Sequence, residues 1–127
     1  LTNPDLQALA ERMGVALRRH TGGQKGWYSD SHRVISTRRG LSIAEYRSTL
    51  AHELAHAYHR DTPVGGHYSP RQERRADRWA ARLLLTEAAV RDALTWHNHH
   101  RGPAAYDLEV TEHLLDVWLT LYERTHT

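Results

Sequence analysis

The stretch "STLAHELAHAYH", residues 48–59, decides how this chain reads. On a helix, residues four apart lie one above the other, so His52 and His56 aim their imidazoles at one point. Two neutral imidazoles so placed can share one Zn²⁺ at about 2.0–2.1 Å each. Glu53, one residue on, sits about 100° around the helix. From there its carboxylate reaches a water on the metal without ligating the metal; the metal acidifies that water and Glu53 takes its proton. On the other side, Ile43, Tyr46, Leu50, Leu54 and Tyr58 recur at three or four and are expected to form the buried stripe. A shuffled chain of this composition would hold roughly 0.06 H-E-x-x-H matches, so the motif needs a second signal beside it.

That signal lies downstream. A catalytic zinc takes three protein ligands and keeps a position for water. The next helical stretch offers Glu73 and Asp77, four apart and on one face. Glu73 can reach the metal, and Asp77 can accept the N–H of a metal-binding histidine and fix its tautomer. Ala76, Ala80 and Ala81 beside them let two helices pack closely. His59 and His67 are rival third ligands. His59 follows His56 by only three residues and leans sideways; His67 lies on a Gly-rich loop.

Residues 1–127 are expected to form one domain, large enough for a modest core. Mean hydropathy is −0.71, polar for a globular chain, and four Trp and six Tyr supply core bulk where Phe is absent. No apolar run of 18 residues is present, so no membrane helix is expected, and no basic-then-apolar leader, so no secretion signal. A start at Leu1 leaves room for a segment removed ahead of it. The lack of cysteine excludes disulfides, thiol catalysis and thiolate metal sites, and fits a reducing cytoplasm. All cations but Lys25 are Arg, and a pI near 9.2 permits an acidic partner without requiring one.

Along the chain, Leu6, Leu9, Met13 and Leu17 predict a first helix over 4–20. "WYSD" and "HRVIST" predict a hairpin turning near Ser29-Asp30-Ser31, and "TRRG" a loop. Ser42 with Glu45 forms a capping box for a helix to about Arg60. "DTPVGGHYSP" is a loop. Helices are expected over about 71–85, from Thr86 to about Trp96, and after Thr111; "HNHHRGP" is a loop. The order gives an α+β chain with helix dominant.

"HELAH" followed by "ERRADRWAARLLL" resembles the ImmA/IrrE family of zinc metallopeptidases, through His52, Glu53, His56, Glu73, Ala76, Asp77, Trp79, Ala80, Leu83 and Leu84. "YDLEVTEHLL" is similar to the family's C-terminal segment, and the likeness spans roughly 27–120. The resemblance implies a small gluzincin-like zincin fold with a short β-hairpin beside the H-E-x-x-H helix. It implies one Zn²⁺ on His52, His56 and Glu73, and Glu53 as general base. It further implies cytoplasmic cleavage of a protein, typically a helix-turn-helix repressor of a phage or mobile element. One departure is Leu85-Thr86 where many members place Pro, which bears on the helix end and not on the metal. No appended sensor domain is expected.

Weaker signals remain. Arg71, Arg75, Arg78 and Arg82, with Arg74, line one side of the third helix; a solvated face is expected, a repressor- or nucleic-acid-facing patch the rival. His97, His99 and His100 could bind a second metal but read as plain surface. Trp27 and Tyr28 read as core or hairpin packing. "HRVIST" could serve as an edge strand pairing with an extended substrate. Tyr68, His67 and Tyr106 are candidates to support a developing oxyanion. The leading reading is a zinc endopeptidase. Its alternatives are a non-proteolytic anti-repressor that keeps a structural zinc, and direct nucleic-acid binding.

Overall fold

Asp5 accepts a hydrogen bond from the Ala8 N–H and opens α1 (Leu6–Arg12) in the computed structural model, which describes residues 4–126. The helix expected over 4–20 ends early. Gly14, at φ +71°, takes the left-handed turn that closes a helix, and the Val15 N–H folds back onto the Ala10 carbonyl at 2.9 Å. Residues beyond it form β1 (Ala16–His20). Leu17 keeps the helical spacing of Leu9 and Met13 but packs on the core from a strand.

β2 (Gly26–Ser29) and β3 (Val34–Arg38) make the expected antiparallel hairpin, with Trp27 opposite Ser36. His32 and Arg33 lie in the turn, and Thr37 and Arg38 in the strand, so β3 starts and ends later than the sequence indicated. Arg33 ties the turn down by donating to the Ala57 carbonyl at 3.0 Å and the Met13 carbonyl at 2.8 Å. β1 pairs parallel with β3, giving the order β1-β3-β2. "HRVIST" is therefore the centre of the sheet and not an edge.

The Ser42 capping box starts α2 (Ile43–His59), with Ser42 Oγ accepting from the Glu45 N–H at 3.1 Å. Leu50 and Leu54 are fully buried, but Ile43 and Tyr58 are 62% and 61% exposed, contrary to the expected stripe. The helix is about 25 Å long and overruns strands of about 15 Å, so only its middle is covered. α3 (Pro70–Leu84) opens on a second capping box, Ser69 with Gln72, and Pro70 occupies the first turn, where it loses no helical bond. Ala51, Ala55, Ala76, Ala80 and Ala81 have no exposed surface, and α2 packs against α3 along such small residues.

α4 (Glu87–Trp96) is capped by Thr86 and α6 (Glu112–Thr125) by Thr111, as expected. α5 (Arg101–Leu108) was not anticipated: residues 101–103 belong to its first turn, where Pro103 is tolerated. α6 lies against α3, and Ser48 Oγ of α2 accepts from the Thr111 N–H at 3.0 Å. Among the described residues no helix is long and apolar enough to cross a membrane. The architecture is α+β with helix dominant, a small zincin-like fold whose three-stranded sheet lies beside the H-E-x-x-H helix.

Candidate metal and catalytic centre

α2 and α3 bring three donor atoms together. His52 Nε2 and His56 Nε2 lie 3.1 Å apart, and Glu73 Oε1 lies 2.9 Å from each. The three residues form the one such cluster among the described residues. A tetrahedral ion with bonds of about 2.0–2.2 Å holds its donors roughly 3.3–3.6 Å apart, so the three atoms need to part by only about half an ångström to take a small divalent ion.

The outer partners give the stronger fit. His52 Nδ1 bonds Asp77 Oδ1 at 2.8 Å, and His56 Nδ1 bonds Asp61 Oδ2 at 2.9 Å. Ionised carboxylates only accept, so each Nδ1 carries the proton and each neutral ring turns a lone pair inward. Two lone pairs and a carboxylate oxygen then face one another with no donor between them, an arrangement only a cation or an added proton satisfies. The metal-free electrostatics agree. Burial pulls the His52 pKa down, but the bonds to Asp77 and Glu73 and the charges of Glu53 and Asp77 outweigh it and raise it to about 9. His56, with no exposed surface, is lowered by burial despite its Asp61 bond. Asp77 stays low although burial opposes this, because His52 and His113 both donate to it.

Glu53 stands beside this cluster in another state. It is 7% exposed, and its Oε1 is buried with no hydrogen-bond partner among the described residues. Burial raises its pKa to about 7; Glu73 adds to the rise and His52 opposes it. A carboxylate with an idle oxygen and that pKa is suited to hold and release a proton near neutrality.

Glu53 lies where two cavities meet. One, of about 220 Å³, is lined by Trp27, Tyr28, His56, His67, Tyr68 and Glu73 among others. The second, of about 410 Å³, runs past Gly26, Thr49, His52, Asp77 and His113. β2 borders both. Lys25 O accepts from the Arg38 N–H, so by alternation Gly26 and Tyr28 turn their backbone groups away from β3, toward the cleft. β2 approaches α2 so closely that a Cβ at Gly26 would stand 2.5 Å from the Thr49 methyl and 3.3 Å from Glu53 Cγ.

The structure thus brings His52, Glu53, His56, Glu73 and Asp77 together. Of the rival ligands, His59 turns Nδ1 to the Ala55 carbonyl and lies outside the cluster, and His67 lines the smaller cavity without joining it. Tyr68 stacks on His56 at 3.8 Å between ring centres, with its hydroxyl 3.3 Å from the Tyr28 carbonyl. Its pKa is pushed up, first by burial, then by Glu53, so it remains a donor. Tyr106 is 80% exposed and lines neither cavity. Trp27 is half-exposed in the cleft, whereas Tyr28 is core. His97, His99 and His100 form no ligand cluster; His97 Nε2 bonds Asp107.

Two residues were missed. Asp61 reaches His56 because Arg60 is left-handed at φ 54° and the Asp61 N–H returns to the His56 carbonyl at 2.9 Å, placing the carboxylate under the ring. Arg75 and Gln72 of α3 bind its other oxygen. An aspartate just past a helix that ends in a ligand was the available signal. His113 Nε2 bonds Asp77 Oδ2 at 2.9 Å, so Asp77 bridges two imidazoles. Nothing local in the sequence marks that pairing across 36 residues.

The fold and the cluster define a metallopeptidase-type protein of zincin-like architecture. Residues 10–120 match the family model Peptidase_M78, the IrrE N-terminal-like domain, and the chain belongs to this family. A peptidase family acts on protein substrates, so the chain's function is of metallopeptidase type. No curated protein matches the chain.

Proposed function

We propose that the chain is a zinc-dependent endopeptidase acting in the cytoplasm on a DNA-binding repressor, a helix-turn-helix protein of a phage or mobile element. His52, His56 and Glu73 would hold the one Zn²⁺, with Asp77 and Asp61 fixing the two imidazoles. Bound there, zinc supplies a Lewis acid that acidifies water and polarises the scissile carbonyl.

Glu53 takes a proton from the attacking water on its unpartnered Oε1 and later delivers it to the leaving nitrogen. Its neighbours give it nothing else to bond, so the oxygen is ready for that proton. Gly26 and Tyr28 offer backbone groups to an extended substrate, which makes β2, not β3, the strand for such pairing. Tyr68, held against His56, turns its hydroxyl proton from the Tyr28 carbonyl to the developing oxyanion, a position exposed Tyr106 does not share. The repressor rests on the family resemblance, as does the cytoplasmic setting.

The observation that carries the reading is the buried, idle Glu53 oxygen beside three convergent metal donors. The test is Glu53→Gln in zinc-loaded protein mixed with the repressor encoded nearest its gene, read by mass spectrometry. Wild type should cut the repressor, and the variant should retain one zinc while cleavage falls about 10²- to 10⁴-fold. Cleavage surviving in the variant would remove Glu53 as base. Zinc uptake with a bound but intact repressor in wild type would replace the peptidase by an anti-repressor that only binds.

A further inference from the structure

Three arginines on the far side of the cleft have no ion pair or hydrogen bond among the described residues: Arg74 and Arg78 of α3 and Arg124 of α6. Arg71 and Arg82 of α3 are likewise without a partner among the described residues but do not line the groove, and two other neighbours are paired. Arg75 is ion-paired to buried Asp61, and Arg101 holds Asp116 at 2.8 Å. The expected solvated arginine face of α3 is thus divided. Arg75 turns toward the His56 support, while Arg74 and Arg78 join Arg124 around a groove of about 320 Å³ between α3 and α6.

Val117 and Leu121 give the groove an apolar floor. Asp77 and His113, bonded to each other, line both this groove and the larger cavity beside Glu53 and His52, so the groove lies next to the cleft and shares that wall with it. From His113 to Arg124 α6 covers about 16 Å, the reach of about five residues of extended chain.

We propose that this groove is the substrate-selecting extension of the cleft and takes an acidic, amphipathic segment of the protein substrate a few residues from the cut. The proposal rests on the peptidase reading and deepens it. Apolar side chains of the segment cover Val117 and Leu121, and its carboxylates meet Arg74, Arg78 and Arg124, where bidentate pairing is available. Nucleic acid is the poorer occupant, because a phosphate backbone gains nothing from the apolar floor of Val117 and Leu121.

The test separates binding from cleavage. Zinc-loaded Glu53→Gln protein is titrated, by fluorescence anisotropy at low salt, against a fluorescein-labelled Leu/Glu peptide, its Leu/Gln counterpart and a blunt DNA duplex. The Glu peptide should bind about tenfold tighter than the Gln peptide, with the preference fading as salt rises. R74E/R78E/R124E and R74Q/R78Q/R124Q should each abolish it, so a folding defect in one leaves the other to decide. R74K/R78K/R124K and the off-groove variant R71E should keep it. Equal binding of the two peptides, or a preference that survives both triple variants, overturns the proposal. So does tighter binding of the duplex that the same variants remove, which would make the face a nucleic-acid site. In wild type, profiling of cuts in a denatured protein mixture should enrich Asp and Glu at a fixed offset. Cutting without that enrichment sinks the groove alone; no cutting, with the Glu preference intact, sinks the peptidase alone.

Discussion

His52 and His56 face each other across one turn of α2, and His97, His99 and His100 crowd the end of α4 at higher local density. Only the first pair becomes a site. The helical pair has a carboxylate behind each ring, Asp77 and Asp61, and a third donor, Glu73, brought in by a helix packed on alanines. The second group sits on a turn where Asn98 and His99 both adopt positive φ, and its side chains form no ligand cluster. His97 is spent on Asp107 at the surface. Ligand chemistry alone therefore decides little. Rigid elements must converge, and each imidazole must have its proton placed on the outer nitrogen.

The sharpest break of this comparison is His56→Ala. It should abolish stoichiometric zinc uptake by the folded chain, read by elemental analysis, while H97A/H99A/H100A leaves one zinc bound. Next comes the support under His56. Asp61→Asn should weaken zinc binding about 10- to 100-fold in a chelator competition, with Asp107→Asn unchanged.

A third measurement uses the acid–base state of the centre after chelation. The folded pKa of Glu53, about 7, lies above its unfolded value of 4.5. Its contribution to stability is therefore complete below about pH 4.5 and is lost as pH rises through 7. His52, raised to about 9 from 6.5, behaves alike over a higher window, with its contribution lost as pH rises through 9. Chelated wild type should thus weaken from about pH 5 to 9. Glu53→Gln should be more stable than wild type at pH 8, by on the order of 3 kcal/mol, and indistinguishable at pH 4.5 in urea titrations. A difference that grows on acidification would contradict the burial argument. The smallest effect is expected at the other histidines: Asp107→Ala removes an exposed pair and should cost about 0–1 kcal/mol in the same titration.

Residues three and four apart determined what could be read from the chain alone. His52 with His56 and Glu73 with Asp77 share a face whenever their segments are helical. Ser42, Thr86 and Thr111 start helices by accepting from a backbone N–H three residues on. These interactions are local, so the spacing of residue types specifies them. The tertiary structure decided the rest. β1 is a strand because β3 offers it a parallel partner, which no local pattern announces, and Leu17 fits a helix as well as a strand. That pairing puts β3 in the centre and leaves β2 on the cleft. Asp61 acquires its role from a left-handed turn, His113 from the crossing of α6 with α3, and the arginine groove from the same crossing. Each depends on burial and pairing between segments far apart in the chain, and that free energy exists only once the segments are packed.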